Sequence, residues 1–358
     1  MTNLRKYSMI TPIDPVKFVE LLHSIPVADA RSPGEFRQGH VSGAFNFPLF
    51  DDSERTKVGT LYTRQGSEAA ILKGLDIALD KLEDYLVLAE EHIPGKKLLL
   101  YCWRGGYRSA TLAEVFHRAG YEVYVLSGGY KAFRAFSGNA LNAPAPVVLL
   151  GGFTGSGKTS ILASMKMQGA QVIDLEGLAH HKGSAFGGIG QLPQPSNEQF
   201  ENDLFADWYC LDKGAPVWLE DESRMIGNVT LPDPVYRKIC SSVLIRLEVD
   251  RGVRISNLVK EYSRADKEHV DTAVRRIARR IGGTNLKNGL EALRRDDFSA
   301  VADIVLQYYD KAYDYSVGRR PLPSICTIPV SGTDHAQDAA KILDFTSTLK
   351  IHATTCLS

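Results

Sequence analysis

The 358-residue chain has few cysteines and no arrangement that would pair them. There is no C-x-x-C pair, and the odd, widely spaced set consists of Cys102, Cys210, Cys240, Cys326 and Cys356. This pattern suits neither a disulfide framework nor a structural zinc site. We therefore expect reduced thiols and no metal centre.

The sequence also lacks long hydrophobic runs and an excess of charge of either sign. No stretch approaches the roughly 18 uninterrupted apolar residues of a membrane span, and the first residues show no apolar segment before a small-residue cleavage site. We expect a cytoplasmic protein with no membrane partner. Because the 42 basic and 42 acidic residues cancel, any binding of nucleic acid must use a local basic patch.

The hydrophobic content, 44% of the residues, is enough for cores in two domains of ordinary size. Strands alternate with helices, which predicts α/β domains with parallel sheets covered on both faces. In the first domain we predict strands at 25–30, 97–102 and 122–128. A single helix is predicted over 66–92, with a core-facing stripe of Ile71, Leu75, Ala78, Leu79, Leu82 and Leu86.

A segment with Gly, Asn and Pro, residues 136–148, interrupts this periodicity and predicts a domain boundary near residue 142. We therefore expect a first domain at 1–138, a linker at 139–146 and a second domain at 147–358.

The first candidate site is the stretch YCWRGGYRSA, residues 101–110, between a predicted strand and a predicted helix at 108–121. Here the backbone N–H groups, the helix N-terminus and the side chains of Arg104 and Arg108 favour a thiolate at Cys102. A cysteine so placed is nucleophilic at neutral pH. The alternative is a structural cysteine that closes a buried strand.

The second candidate site opens the second domain with PVVLLGGFTGSGKTS, residues 146–160, a strand followed by a complete Walker A pattern. Such a loop wraps a diphosphate, while Lys158 neutralises it and the Thr159 hydroxyl reaches Mg²⁺ when the ion is present. The pattern does not establish ATP as the ligand, and we expect no tightly bound cofactor. The predicted contact residues are Gly152, Thr154, Gly155, Ser156, Gly157, Lys158, Thr159 and Ser160.

Carboxylates near this site have no decisive pattern. Asp174 and the run Glu220, Asp221 and Glu222 follow predicted strands, and we interpret each as an ordinary surface or capping acid. The Gly- and Pro-rich loop 176–196 is expected to cover the phosphate site. Its adjacent His180 and His181 diverge and have no further ligand at metal-binding spacing, so we predict no metal there.

The basic patch lies at 251–295, which holds twelve Lys or Arg residues against five Asp or Glu. On one predicted helix Arg275, Arg276, Arg279 and Arg280 share a face suited to RNA phosphates. A solvated helix surface explains the same charges equally well. Aromatic residues follow in the same helical segment, about 251–315, and either add to the RNA surface or pack in the core: Tyr308, Tyr309, Tyr313 and Tyr315.

Three segments of the first domain, 29–48, the loop around Cys102 and VLSGGYKAFR at 125–134, together resemble the rhodanese domain. The resemblance implies that Cys102 carries sulfur or selenium and that Asp29 and Arg31 brace the site. It extends the candidate set to Arg104, Arg108 and Ser109. The C-x5-R loop is one residue longer than in common sulfurtransferases and is shared with rhodanese-like phosphatases, which implies a wider anion cradle.

The order of a rhodanese-like domain, a P-loop NTPase-like α/β domain and a helical C-terminal region resembles the tRNA 2-selenouridine synthase family over nearly the whole chain. The resemblance implies that the substrate is tRNA with wobble 2-thiouridine. It further implies S-geranylation by geranyl diphosphate, followed by replacement of sulfur with selenium from selenophosphate. Two alternatives stay open: a C-x5-R phosphatase or sulfurtransferase fused to a nucleotide-dependent kinase, and a nucleotide-binding module that senses oxidants.

Overall fold

The computed structural model describes residues 10–348, which form two compact units that divide between Ala140 and Leu141. The first unit contains a five-stranded parallel sheet in the order β1-β5-β4-β2-β3. Its strands are β1 (Ile10–Ile13), β2 (Val27–Asp29), β3 (Phe45–Asn46), β4 (Lys97–Tyr101) and β5 (Glu122–Leu126). Its helices are α1 (Pro15–Leu21), α2 (Pro33–Gln38), α3 (Asp52–Gln65), α4 (Ser67–Asp80), α5 (Leu82–His92), α6 (Tyr107–Arg118) and α7 (Gly129–Asn142).

The second unit contains another five-stranded parallel sheet, in the order β12-β11-β6-β8-β7, and a small antiparallel hairpin, β9-β10. Its strands are β6 (Val147–Gly152), β7 (Gln171–Val172), β8 (Val217–Glu220), β9 (Met225–Ile226), β10 (Val229–Thr230), β11 (Val243–Glu248) and β12 (Ile325–Pro329). Its helices are α8 (Lys158–Met167), α9 (Leu175–Leu178), α10 (Asn197–Tyr209), α11 (Asp233–Cys240), α12 (Arg251–Tyr262), α13 (Lys267–Arg276), α14 (Ala278–Ile281), α15 (Gly283–Arg294), α16 (Phe298–Gly318) and α17 (His335–Thr348).

The predicted α/β class with parallel sheets is therefore confirmed in both units. The central strands are mostly apolar and buried because helices cover both faces of a parallel sheet. All six residues of β6 are buried, as are four of the five in β4. Both candidate loops follow these two strands, at the carboxyl edge where ligands bind in open α/β sheets.

The single helix predicted at 66–92 is wrong in two respects. It is broken at Lys81 (φ −107°, ψ 5°) into α4 and α5. The buried face also matches the predicted stripe only in part: Ala78 is buried and Ile71, Leu82 and Leu86 are half-buried, but Leu75 and Leu79 are 44% and 68% exposed. The core side consists mainly of small residues, Ala70, Gly74, Ala78, Tyr85 and Ala89.

The reason is a close approach to an aromatic side chain. A Cβ added at Gly74 would lie 3.0 Å from the Phe50 ring, so α4 can pack this closely only through small residues. Leu75 and Leu79 of the amphipathic pattern consequently face outward.

The predicted linker begins later than expected, because α7 continues to Asn142 and residues 139–142 are helical.

Among residues 10–348, no helix combines the length and apolar character that a membrane crossing requires. Cys356 lies outside the described residues.

Candidate functional site

The cysteine loop, residues 102–109, connects β4 to α6. Cys102 is 3% exposed, and its Sγ lies 3.2 Å from the Oγ of Ser109 in the first turn of α6. The Ser109 hydroxyl also donates to the carbonyl of Gly106, at 3.1 Å. Two predicted site residues are therefore in direct contact, and the thiol lies at the start of a helix.

The turn between β5 and α7 holds this loop from the other side. The backbone N–H of Tyr130 donates to the carbonyl of Cys102 at 2.8 Å, and that of Lys131 donates to Trp103 at 3.0 Å. A Cβ at Gly129, where φ is +61°, would lie 2.3 Å from the Cys102 carbonyl oxygen and 2.4 Å from the Gly105 nitrogen. Only glycine fits there, which gives a physical reason for the SGGYK sequence.

Asp29 and Arg31 form a buried ion pair next to the loop. Arg31 Nη2 lies 2.7 Å from Asp29 Oδ2, and the two residues are 1% and 0% exposed. Burial alone would lower the pKa of Arg31, but the hydrogen bond and charge of Asp29 raise it above its ordinary value. The guanidinium also stacks on Tyr130, 3.7 Å from the ring centroid. Both groups are enclosed, and Arg31 contacts the cysteine loop through Tyr130, whose N–H bonds to the Cys102 carbonyl.

The two loop arginines differ in their surroundings. Arg108 donates two hydrogen bonds to Glu35 of α2, at 2.6 and 3.3 Å, whereas Arg104 is exposed. Burial would raise the pKa of Glu35, but Arg108 outweighs it and lowers the pKa below the ordinary value. Glu35 was missed by the sequence reasoning. Its one local signal was the S-x-x-E capping pattern that begins at Ser32, which does not point to Arg108.

The glycine loop, residues 152–160, connects β6 to α8. Gly155 and Gly157 have φ of +82° and +78°, and the curled backbone lets Lys158 Nζ donate to the Gly152 carbonyl at 2.9 Å. All eight predicted residues line one cavity of about 880 Å³, which we call the glycine-loop cavity: Gly152, Thr154, Gly155, Ser156, Gly157, Lys158, Thr159 and Ser160. The Thr159 hydroxyl donates to Glu176 at 3.0 Å.

The prediction that the acids near this site are ordinary surface or capping residues holds for only one of them. Asp174 does cap α9, accepting the Gly177 N–H at 2.6 Å. Glu220 and Asp221, however, are buried at the end of β8, and Glu222 is half-buried beside Glu176. The apolar strand carries these acids into the interior, where they need protein partners.

Each of the three acids has its own environment. Glu220 accepts the Leu175 N–H at 2.8 Å, and burial raises its pKa well above the usual range. Burial, together with the charge of Glu176, also raises the pKa of Glu222. Asp221 pairs with Arg320 and accepts from the Tyr313 hydroxyl at 2.7 Å.

Tyr313 connects this acid to the glycine loop, because its hydroxyl oxygen accepts the Gly152 N–H at 2.9 Å. Asp221 at the end of β8 therefore positions the loop through Tyr313, a role that the sequence did not reveal.

An aromatic wall faces the glycine loop across the same cavity. It consists of Phe186, Tyr262, Tyr308, Tyr309 and Tyr313. Phe186 comes from the loop 176–196 and stacks on Tyr262, with ring centroids 4.9 Å apart. Tyr309 accepts the Ala185 N–H at 2.8 Å and so holds that loop in place. The fourth predicted tyrosine, Tyr315, is 62% exposed and does not line the cavity.

The arginine row predicted on one helix is divided. Ile277 (φ −97°, ψ 7°) breaks the helix, so Arg275 and Arg276 end α13 while Arg279 and Arg280 belong to α14. Arg275 is bonded to Asp271, at 3.2 Å through Nη2. Arg276 and Arg280 line a second cavity, whereas Arg275 and Arg279 do not.

Neither histidine of the loop 176–196 belongs to a metal-ligand cluster. His180 Nδ1 lies 2.8 Å from the Pro193 carbonyl oxygen. Within residues 10–348 no group of three or more His, Cys, Asp or Glu side chains is arranged to hold a metal ion.

Comparisons with known proteins identify both units. Residues 14–136 match the rhodanese-like domain model, and residues 145–328 match the AAA domain model of tRNA 2-selenouridine synthase. A tRNA 2-selenouridine synthase of Shewanella sediminis is 33% identical over 339 residues, covering 84% of this chain and 90% of that protein. The synthase of Pseudomonas fluorescens is 37% identical over 263 residues, covering 70% of each chain.

A third relative, the synthase of Marinobacter nauticus, is 32% identical over 338 residues, with 84% of this chain and 90% of that protein covered. The two matched ranges, 14–136 and 145–328, include the cysteine loop, the glycine loop and the basic helices that follow. The chain is an enzyme that belongs to the tRNA 2-selenouridine synthase family.

Proposed function

We propose that this enzyme converts 2-thiouridine at the wobble position of tRNA to 2-selenouridine in two stages. It first transfers a geranyl group from geranyl diphosphate to the sulfur, and it then replaces geranylthiol with selenium from selenophosphate. Family membership supports tRNA as the substrate. The observation that carries the geranyl stage is the glycine-loop cavity, which joins an anion cradle to an aromatic wall.

The residues of this cavity suit both ends of geranyl diphosphate. The loop N–H groups and Lys158 would hold the diphosphate as it leaves, while Phe186, Tyr262 and Tyr309 would cover the prenyl chain. In this step the C1–O bond breaks, an S–C1 bond forms and the N3 proton of the base is released. If Mg²⁺ takes part, the Thr159 hydroxyl and the Glu176 carboxylate would hold it, since Mg²⁺ favours one or two protein oxygens plus substrate phosphates.

The second stage belongs to the cysteine loop. S-alkylation makes the sulfur a neutral thiol leaving group, so the selenium of selenophosphate can add at C2 and geranylthiol can depart. Water then cleaves the P–Se bond and releases phosphate, and N3 regains a proton. Cys102 is the nucleophile that would handle the selenium donor, and Arg104 is the exposed cation available to its phosphate. Arg108 would contribute while held by Glu35.

The test is mass spectrometry of nucleosides digested from 2-thiouridine tRNA after reaction with the pure enzyme. Geranyl diphosphate alone should yield S-geranyl-2-thiouridine, and adding selenophosphate should yield 2-selenouridine. Unchanged 2-thiouridine in both reactions would refute the proposal. Phosphate release from phosphoesters with ATP turnover would instead favour the phosphatase and kinase alternative.

Calorimetry separates a prenyl donor from a nucleotide at the glycine-loop cavity. Geranyl diphosphate should bind more tightly than inorganic diphosphate, because the aromatic wall buries the chain. Replacing Tyr309 with Ala should remove most of that difference, whereas Tyr315→Ala, a change at an exposed tyrosine outside the cavity, should not. Tighter binding of ATP than of geranyl diphosphate would contradict the assignment.

A further inference from the structure

A second cavity, of about 1080 Å³, lies beside the glycine-loop cavity in the same unit. We call it the arginine cavity. The loop 176–196, the β9-β10 hairpin and helices α13 and α14 contribute to its walls. It shares Gly183, Ser184, Ser223, Arg264 and Arg280 with the glycine-loop cavity, so ligands in the two would lie next to each other.

The arginine cavity carries positive charge that the protein does not neutralise. Arg264, Arg276 and Arg280 line it, and none pairs with a carboxylate among residues 10–348. Arg251 and Arg254 of the preceding helix are, by contrast, bonded to Asp303 and Asp310. Arg280 donates to the Tyr308 hydroxyl at 3.0 Å, a neutral partner that leaves its charge in place. Arginines without a carboxylate partner in a concave surface attract anions, and their planar guanidinium groups match phosphate oxygens.

The other polar residues that line the arginine cavity do not cancel the charge of its arginines. Asp266, the single acidic residue among the described lining residues, is occupied as the N-cap of α13 and accepts the Glu268 N–H at 3.0 Å. His181 also lines the cavity, and its Nδ1 is buried with no partner in the described part of the chain. Buried nitrogens without a partner are rare in folded proteins, and because Nδ1 is enclosed, the ring must rotate before a ligand in the cavity reaches it.

We propose that the arginine cavity binds the target nucleotide of the RNA after it has left the base stack. Arg264, Arg276 and Arg280 would hold the flanking phosphates, and His181 would contact the base. The inference rests on the proposed function in taking an RNA uridine as substrate. An enzyme that changes the C2 substituent of a base must bring that atom out of the stack, and the shared wall brings it beside the prenyl donor.

The chemistry of the lining favours a nucleotide over the prenyl chain. A ten-carbon chain needs an apolar enclosure, which the aromatic wall of the other cavity provides. The arginine cavity combines cations, imidazole and amide groups with the apolar side chains of Ile189, Leu192 and Met225. This mixture suits a base together with its phosphates, and the volume accommodates a nucleotide.

The test uses binding alone, with no prenyl or selenium donor, so that its failure is distinct from failure of the proposed function. The probe is an anticodon stem-loop RNA with 2-aminopurine at the wobble position, whose fluorescence should rise when the base leaves the stack. Arg264→Gln with Arg276→Gln should weaken binding at least tenfold and lower the slope of log affinity against log salt by about 1.4, or 0.7 per phosphate.

The matched control is Arg294→Gln with Arg295→Gln, which removes the same charge from exposed residues of the same basic segment outside the cavity. It should change affinity less than twofold. Equal losses in the two double variants, with unchanged melting temperatures, would overturn the assignment, as would a fluorescence signal that does not rise with the unaltered enzyme.

A second comparison tests the base contact. The unaltered enzyme should prefer a 2-thiouridine stem-loop over the same loop with an abasic wobble position, and His181→Phe should reduce that preference. A preference that His181→Phe leaves intact would remove His181 from the proposal.

Discussion

Arg108 and Glu35 form a two-point ion pair that joins the cysteine loop to helix α2, with Nη1 to Oε2 at 2.6 Å and Nη2 to Oε1 at 3.3 Å. Both side chains are about one-fifth exposed. The predicted anion clamp is therefore held by a carboxylate. This orients the guanidinium and offsets part of its charge, since paired charges in partly buried sites interact more strongly than exposed ones.

The pair predicts a pH-dependent contribution to stability. Glu35→Gln should lower the free energy of unfolding by about 1 kcal/mol at pH 7, because it removes charge-assisted hydrogen bonds. Since the pKa of Glu35 is lowered in the folded state, the contribution is present above the ordinary carboxylate range and is lost as pH falls through the folded value.

Denaturation in urea at pH 7 and at pH 3 measures this effect, and the difference between the two proteins should be smaller at the lower pH. Glu20→Gln, in an exposed pair with Lys17, is the control and should show no change. A Glu35→Gln effect of equal size at both pH values would exclude the ion pair as its source.

The buried pair of Asp29 and Arg31 predicts a larger loss. Asp29→Asn should destabilise the first unit by about 3 kcal/mol, because it leaves an unpaired cation in the core. The measurement is chemical denaturation followed by hydrogen exchange of the β4 and β5 amides, because the three tryptophans of the chain make fluorescence report on both units. Asp76→Asn, at an exposed pair with Lys73, provides the comparison. Similar stability of the two variants would show that Asp29 does not support the core in this way.

The division of labour between the two loops gives a kinetic prediction. Cys102→Ala should still convert 2-thiouridine tRNA to the S-geranyl form and accumulate it, because the glycine loop is unaltered. Lys158→Ala should lower use of the donor roughly a hundredfold, since a charge that binds the diphosphate is lost. Mass detection of digested tRNA distinguishes the products.

Supplied with pre-geranylated tRNA and selenophosphate, the Lys158 variant should recover part of its selenation while the Cys102 variant stays inactive. If Cys102→Ala blocks geranylation as completely as Lys158→Ala, the two loops act as one composite site.

The arginine row gives a graded prediction for tRNA binding. Changing Arg275, Arg276, Arg279 and Arg280 together to Glu should weaken binding and flatten its salt dependence, with the fold retained. Geranyl diphosphate binding should be retained when only Arg275 and Arg279 are changed, because Arg280 also lines the glycine-loop cavity. Because Arg275 is paired with Asp271, most of the loss should come from Arg276 and Arg280. Mobility shifts at several salt concentrations test this division. One variant changes Arg275 and Arg279, and a second changes Arg276 and Arg280. Unaltered affinity in the fourfold variant would make the row a solvated surface.

The sequence predicted best what the backbone itself builds. Cys102 and Ser109 are close to each other in sequence, and so are the residues of the glycine loop. In each of the two loops, a strand, a curled backbone and a helix start are enough to position these residues. The parallel α/β architecture follows from the same alternation of strands and helices.

Contacts between distant segments could not be predicted in this way. Glu35 and Arg108 are 73 residues apart, and Tyr313 reaches Asp221 over 92 residues, with no local pattern to announce either contact. The leucine stripe of 66–92 was assigned to the core because periodicity defines a face without saying what packs against it. The Phe50 ring packs against Gly74, so α4 turns its small residues toward the core.

The contact between Gly129 and the cysteine loop also has a consequence for protein engineering. There is no room for even one extra carbon between Gly129 and the Cys102 carbonyl, so the two segments fit only each other. A designer who transplants the C-x5-R loop into another rhodanese-like scaffold must carry the SGGYK turn with it. Libraries that vary the loop length should therefore vary both segments together.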